Sequence, residues 1–126
     1  MQKLAAIFTG LVAIIHVYIM ILETMLWTTR GLNVFGMTLE FAESTKTLAL
    51  NQGLYNGFLA AGLIWSFLIK DNQWKRNVAY FFLGCVFIAG IVGTASTGKM
   101  NIIMVQSIPA GLGIFAQWMS SKTIET

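Results

Sequence analysis

The chain has 126 residues, enough for one domain, with 56 % hydrophobic and only 10 % charged residues. Soluble domains carry about 25 % charged residues, so this composition, with a mean hydropathy of +0.72, excludes an ordinary soluble domain and points to an integral membrane protein. The net charge of +3, from 8 basic and 5 acidic residues, is too slight for a nucleic-acid surface and fits the cationic flanks of membrane spans.

A helix needs about 20 apolar residues to cross a bilayer, and four stretches qualify. The first, Leu4–Trp27, is too long for the apolar part of a signal peptide. Trp27-Thr28-Thr29-Arg30 is not a small-residue cleavage site, so the segment is expected to be a retained span. The polar connection Thr28–Lys46 follows, with a short surface helix expected around Met37–Ala42. The second span is about Thr47–Ile69, the third about Val78–Thr97 and the fourth about Asn101–Met119. The later connections are short, which makes their flanking helices antiparallel neighbours. The expected architecture is an all-α, four-transmembrane-helix antiparallel bundle, a single membrane domain.

Lysine and arginine in short loops set orientation. Lys3, Lys70, Lys75, Arg76 and Lys122 fall on one side, against Arg30, Lys46 and Lys99 on the other. This bias favours both termini in the cytoplasm. Trp27, Trp74 and Trp118 sit near span ends, where an aromatic belt belongs. Cys85 has no second cysteine to pair with and reads as a small packing residue.

In that orientation the polar side chains gather at one depth. His16 lies near mid-membrane and Glu23 near the outer end of span one. Asn51, Gln52, Tyr55 and Asn56 lie in the outer half of span two, and Gln106 in the outer half of span four. The inner stretches Leu4–Ile15, Leu63–Leu68, Val78–Ile88 and Leu112–Phe115 read as almost purely apolar. His16 and Glu23 are seven residues apart, so they share a face, about 20° apart in direction and about 10 Å apart in height. Asn51 to Asn56 span an arc of roughly 140°. Pro109 should kink span four and free a backbone carbonyl.

An unpaired polar group costs several kcal/mol in hydrocarbon, so these residues require a purpose. Glu23 is the only acidic residue expected inside a span, and such acids are functional candidates by default. The plainer alternative is a hydrated interfacial carboxylate, or a pair with Arg30. His16 reads either as a proton relay or as a hydrogen-bonded packing residue. With no second histidine and no second cysteine, a metal site is not expected, and no cofactor motif is present. Asn51, Gln52, Tyr55, Asn56 and Gln106 read either as a pocket lining or as interhelical hydrogen bonds of about 1 kcal/mol each. Trp27 reads as belt or as site.

Several segments carry a resemblance. They are His16-x-Tyr18 with Leu22-Glu23-x-x-x-Trp27, the run Asn51-Gln52-Gly53-Leu54-Tyr55-Asn56-Gly57-Phe58-Leu59-Ala60, then Gly84-Cys85 with Ala89-Gly90 and Gly93, and Gln106-x-x-Pro109-Ala110. Together they resemble a family of small bacterial integral membrane proteins catalogued as a domain of unknown function. The resemblance covers nearly the whole chain. It implies a four-span protein of bacterial origin, hence a multi-pass protein of the cytoplasmic membrane, and supplies no activity. A looser likeness, in length, span number and one first-span glutamate, is to small multidrug transporters; it is architectural only.

The expected function is binding or transport of a small amphipathic or cationic molecule in a polar pocket of the outer half. Glu23 is its charge and proton site, His16 tunes it, and Asn51, Gln52, Tyr55, Asn56 and Gln106 orient the ligand. The expected partners are the lipid bilayer, a small-molecule or lipid ligand and, for a transport path, a second copy of the chain. One alternative is a membrane-embedded acid/base enzyme using Glu23 and His16 on a lipid-soluble substrate. Another is a non-catalytic accessory protein whose polar residues hold helices together.

Overall fold

A computed structural model describes residues 1–122. They form six helices: α1 (Gln2–Thr24), α2 (Arg30–Phe35), α3 (Leu39–Leu68), α4 (Asn72–Thr97), α5 (Met100–Val105) and α6 (Ser107–Lys122). The described residues contain no strand. The fold is all-α, as expected from apolar runs of spanning length.

Each boundary has a local cause. Helix α1 stops at Thr24, whose Oγ1 donates back to Met20 O at 2.7 Å. Trp27 therefore lies in the following turn rather than inside the helix. Helix α2 ends at Gly36, in the left-handed region at φ 64°, where a residue without Cβ is at ease. The short surface helix expected at Met37–Ala42 is displaced: α2 occupies Arg30–Phe35, and residues 39–42 form the first turn of α3. Thr38 caps α3 by accepting from Phe41 N at 3.2 Å, with Glu40 in the first turn facing the positive end of the helix dipole. Asp71 caps α4 by accepting from Trp74 N at 2.8 Å. Gly98, at φ 70°, closes α4.

The kink expected from Pro109 appears as the break between α5 and α6 at Gln106. Proline at 109 has no N–H for the carbonyl four residues earlier, and the ladder lapses there. Ser107 uses the opening: its Oγ donates to Phe87 O of α4 at 2.8 Å.

Helix α1 packs against α3 and α6, and α4 packs against α3 and α6. The core where they meet is Val12, Ala13, Leu63, Leu83, Val86 and Ala110, flanked by Leu59, Phe82 and Ile114. The outer surface is also apolar: Ile7, Ile14, Phe58, Trp65, Phe81, Ile88 and Phe115 are all exposed. Helices that are apolar inside and outside match hydrocarbon rather than water.

Three helical stretches among the described residues are long and apolar enough to cross a membrane: Gln2–Thr24, Asn72–Thr97 and Met100–Lys122. Helix α3, expected as a further span, is not among them. That helix has 30 residues, about 45 Å of rise, so length is ample. It falls short in hydropathy because Asn51, Gln52, Tyr55 and Asn56 interrupt its apolar run.

Candidate functional site at the α1–α3 contact

The close contact between α1 and α3 is made by glycines. A Cβ at Gly53 would lie 2.5 Å from Thr24 Cγ2 and 3.1 Å from Glu23 Cβ, and one at Gly57 would lie 2.8 Å from Met20 Sδ. Gly53 and Gly57 are four apart, the spacing that lets membrane helices approach closely. That approach brings Glu23 to Asn56, whose Nδ2 donates to Glu23 Oε2 at 2.7 Å and to Gln52 O at 3.1 Å. Both residues are half-buried. The carboxylate thus turns toward its neighbour helix while staying open on one side.

The other amides do not join it. Asn51 and Gln52 are exposed, and Tyr55 is 57 % exposed. The expected inward-facing cluster of Asn51, Gln52, Tyr55 and Asn56 is corrected to Asn56 alone. The cause lies in how α4 meets α3. Residues seven apart on a helix point within about 20° of each other. On one such column Gly62 is buried against Phe82 of α4, while Tyr55 and Leu48, farther out, are exposed. On the next column Ser66 is buried, Leu59 half-buried and Gln52 exposed. Helix α4 therefore covers α3 near the short connection at residues 69–71 and leaves it uncovered two turns away. There α4 packs instead on α5 and α6, with Gly93 beside Ile102 and Gly90 beside Ser107. The result is a lateral opening with Gln52, Tyr55 and Asn56 on α3 and Glu23 at its α1 edge.

His16 is fully buried on α1. Its Nδ1 lies 2.9 Å from Val12 O, and a carbonyl only accepts, so Nδ1 carries the proton and Nε2 of the neutral ring presents a lone pair. That Nε2 has no hydrogen-bond partner among the described residues, and neither does the buried Thr94 Oγ1. Gln106 is half-buried at the α5–α6 break, with its Cβ close to Gly90 of α4. Trp27 is half-buried; its Nε1 donates to Ala42 O at 3.0 Å and to Thr45 Oγ1 at 3.3 Å, and its ring meets Phe35 at 5.3 Å. It ties the turn after α1 to the first turns of α3.

Among the described residues no group of three or more His, Cys, Asp or Glu could hold a metal ion. The residues missed by sequence reasoning are Met20, Thr24 and Gly53. Their signal was the Gly53-x-x-x-Gly57 spacing, which lies inside the most distinctive stretch of the chain.

No solved structure matches this chain. A curated relative, the uncharacterized protein YpaA of Lactococcus lactis subsp. lactis (strain IL1403), is 34 % identical over 119 residues, covering 92 % of this chain and 95 % of the relative. Residues 10–118 match the family described as a protein of unknown function, DUF1304. That match takes in α1 from Gly10 onward, the Glu23–Asn56 contact and most of α6, so the chain belongs to the DUF1304 family.

Proposed function

We propose that this protein is a four-span protein of the bacterial cytoplasmic membrane, with both termini cytoplasmic, that binds a small amphipathic cation from the lipid side. In this reading α3 is the fourth span. Its amides are tolerated because Asn56 pairs with Glu23, and because Asn51 and Gln52 lie within the outer turns, near the headgroups. The antiparallel bundle is supported by the contacts of α1 and α4 with both α3 and α6 and by the short connections after α3 and α4.

The carrying observation is the Glu23–Asn56 pair at the edge of an uncovered polar face. A single carboxylate with one oxygen held at 2.7 Å keeps acceptor capacity for a cation. Asn56 fixes its rotamer, and Tyr55 offers an aromatic face of the kind that attracts cations. Gln52 and Asn51 supply further acceptors along the same opening. Proton and cation would compete for the same carboxylate, since protonation removes the charge that attracts the ligand. The lone pair on His16 Nε2, about two turns away on the same face of the helix, would relay that proton away from Glu23. Gln106 and Trp27 act as structural supports, consistent with their packing at the α5–α6 break and at the α3 cap.

The test uses tetraphenylphosphonium, a lipophilic monovalent cation, with the detergent-solubilised full chain. Saturable binding accompanied by proton release is expected, and Glu23→Gln should abolish both while the protein remains monodisperse. Unchanged binding in Glu23→Gln refutes the reading. Failure of that variant to assemble points instead to the accessory-protein reading, in which the pair only holds α1 to α3; this is favoured by the tight glycine contact beside it.

A further inference from the structure

The opposite end of the molecule carries a second, chemically unlike site. The sequence reads this end as apolar, yet the four long helices meet there around a cavity of about 120 Å³. It is lined by Lys75 and Arg76 from α4, Gln117 and Ser120 from α6, Thr9 from α1 and Ser66 from α3. Among the described residues, no carboxylate lines the cavity. The nearest in sequence, Asp71, is occupied as the cap of α4. The hydroxyls are already oriented: Thr9 Oγ1 donates to Ala5 O and accepts from Gln117 Nε2 at 3.3 Å, and Ser66 Oγ donates to Leu63 O. Arg76 commits one N–H to Gln73 Oε1 at 2.8 Å and keeps the remaining donors of its fork. Two half-buried cations at a polar cavity that no described carboxylate lines form a complement to an oxyanion, and arginine matches the geometry of phosphate in particular.

A second feature identifies what the oxyanion is attached to. A wholly apolar trough of about 270 Å³ runs along α1 and α3, lined by Gly10, Ala13, Ile14, Val17, Ile64 and Phe67. Phe67 lines both the trough and the cationic cavity, so the two are adjacent across its side chain. Gly10 keeps the trough open beside the Phe67 ring. A charged cup at the end of the helices beside an apolar groove that opens outward along α1 and α3, with Ile14 and Ile64 exposed on it, has the shape of one headgroup with one acyl chain. Free phosphate would use the cup and leave the trough empty. Basic pockets between membrane helices are known to take lipid phosphates.

We propose that this site binds an anionic phospholipid, with its phosphate between Lys75 and Arg76 and one acyl chain along the trough past Gly10. The site is independent of Glu23 and stands whether or not that residue binds a cation.

The test measures binding to the detergent-solubilised full chain of three probes: dioleoylphosphatidylglycerol, dioleoylphosphatidylcholine and inorganic phosphate. Saturable binding of the anionic lipid is expected, weaker by about tenfold or more in Lys75→Gln/Arg76→Gln. The same loss is expected in Gly10→Leu, which fills the trough and leaves every charge in place. Lys70→Gln, an exposed cation outside the cavity, should bind as the wild type does. Equal binding of both lipids, or an equal loss in Lys70→Gln, overturns the proposal in favour of bulk attraction. Binding of inorganic phosphate with no effect of Gly10→Leu overturns the lipid assignment. If the double variant is not monodisperse, Lys75→Gln alone and Gly10→Leu decide by the same criteria.

Discussion

Replacing Gly53 by alanine tests the contact on which the Glu23–Asn56 pair rests. The added methyl carbon would lie 2.5 Å from Thr24 Cγ2, 3.1 Å from Glu23 Cβ and 3.2 Å from Met20 O. Non-bonded carbons rest about 3.5–4.0 Å apart, so the first contact is about 1 Å too short. Thr24 has little room to yield, because rotating its side chain breaks the 2.7 Å bond from Oγ1 to Met20 O. The helices must separate instead, which stretches the Asn56–Glu23 bond. Overpacking of this kind costs about 1–3 kcal/mol. Alanine returns about 0.5–1 kcal/mol through its better helix propensity, leaving a net loss of about 1–2 kcal/mol. Gly84 in α4 is the control, since nothing lies within 4 Å of its would-be Cβ. Gly84→Ala should gain the propensity term alone. The two variants should differ by about 2 kcal/mol, a shift of more than tenfold in the folding equilibrium. Titration with a denaturing detergent in mixed micelles, followed by tryptophan fluorescence, measures the difference. If Gly53→Ala is as stable as Gly84→Ala, the helices are not in glycine-mediated contact and the geometry argued for Glu23 is wrong.

Trp27→Phe keeps the ring beside Phe35 but removes the donor to Ala42 O and Thr45 Oγ1; it should cost about 1 kcal/mol and raise amide hydrogen exchange at residues 38–46 while leaving α4 and α6 unchanged. His16→Leu removes a ring whose Nε2 has no partner among the described residues and should leave stability within about 1 kcal/mol. In the same variant the proton release that accompanies tetraphenylphosphonium binding should be slower, and an unaltered rate of release would remove His16 from the proposed proton site.

The parts legible in sequence are those set by one helix at a time. Apolar runs located α1, α4 and the α5–α6 stretch, and the seven-residue interval placed His16 and Glu23 on one face. The start of α3 was missed because Glu40, Glu43 and Lys46 interrupt hydropathy without interrupting a helix that Thr38 caps. The side-chain arc on α3 was also legible, but not which part of it a neighbour covers. That depends on how far α4 stays beside α3, and the divergence between Ser66 and Gln52 is a property of two helices and their loop. The cationic cavity was hidden for a related reason. Thr9 and Ser66 satisfy themselves on their own helices, so each passes for a neutral member of an apolar run. Lys75 and Arg76 served as orientation signals until four helix ends gathered around them.

The two polar regions are kept apart by the packing between them. On α1, Thr9 at the cationic cavity and Glu23 at the lateral opening are fourteen residues apart, about 21 Å along the axis. The interval is filled by Val12 and Ala13 against Leu63, Leu83, Val86 and Ala110, most of them with no accessible surface. A charged solute crossing that layer would lose its hydrogen bonds at several kcal/mol for each unpaired group, and the packed side chains offer it no space. A transport path down the centre of one chain is therefore closed. Any movement of a ligand between the two faces must run along the outside of α3, where Asn51, Gln52 and Tyr55 are uncovered, or between two copies that cover this face together. Binding from the lipid side needs neither. In that case affinity for a series of cations should follow their partition into the bilayer as well as their charge, because the molecule reaches Glu23 only after entering the membrane.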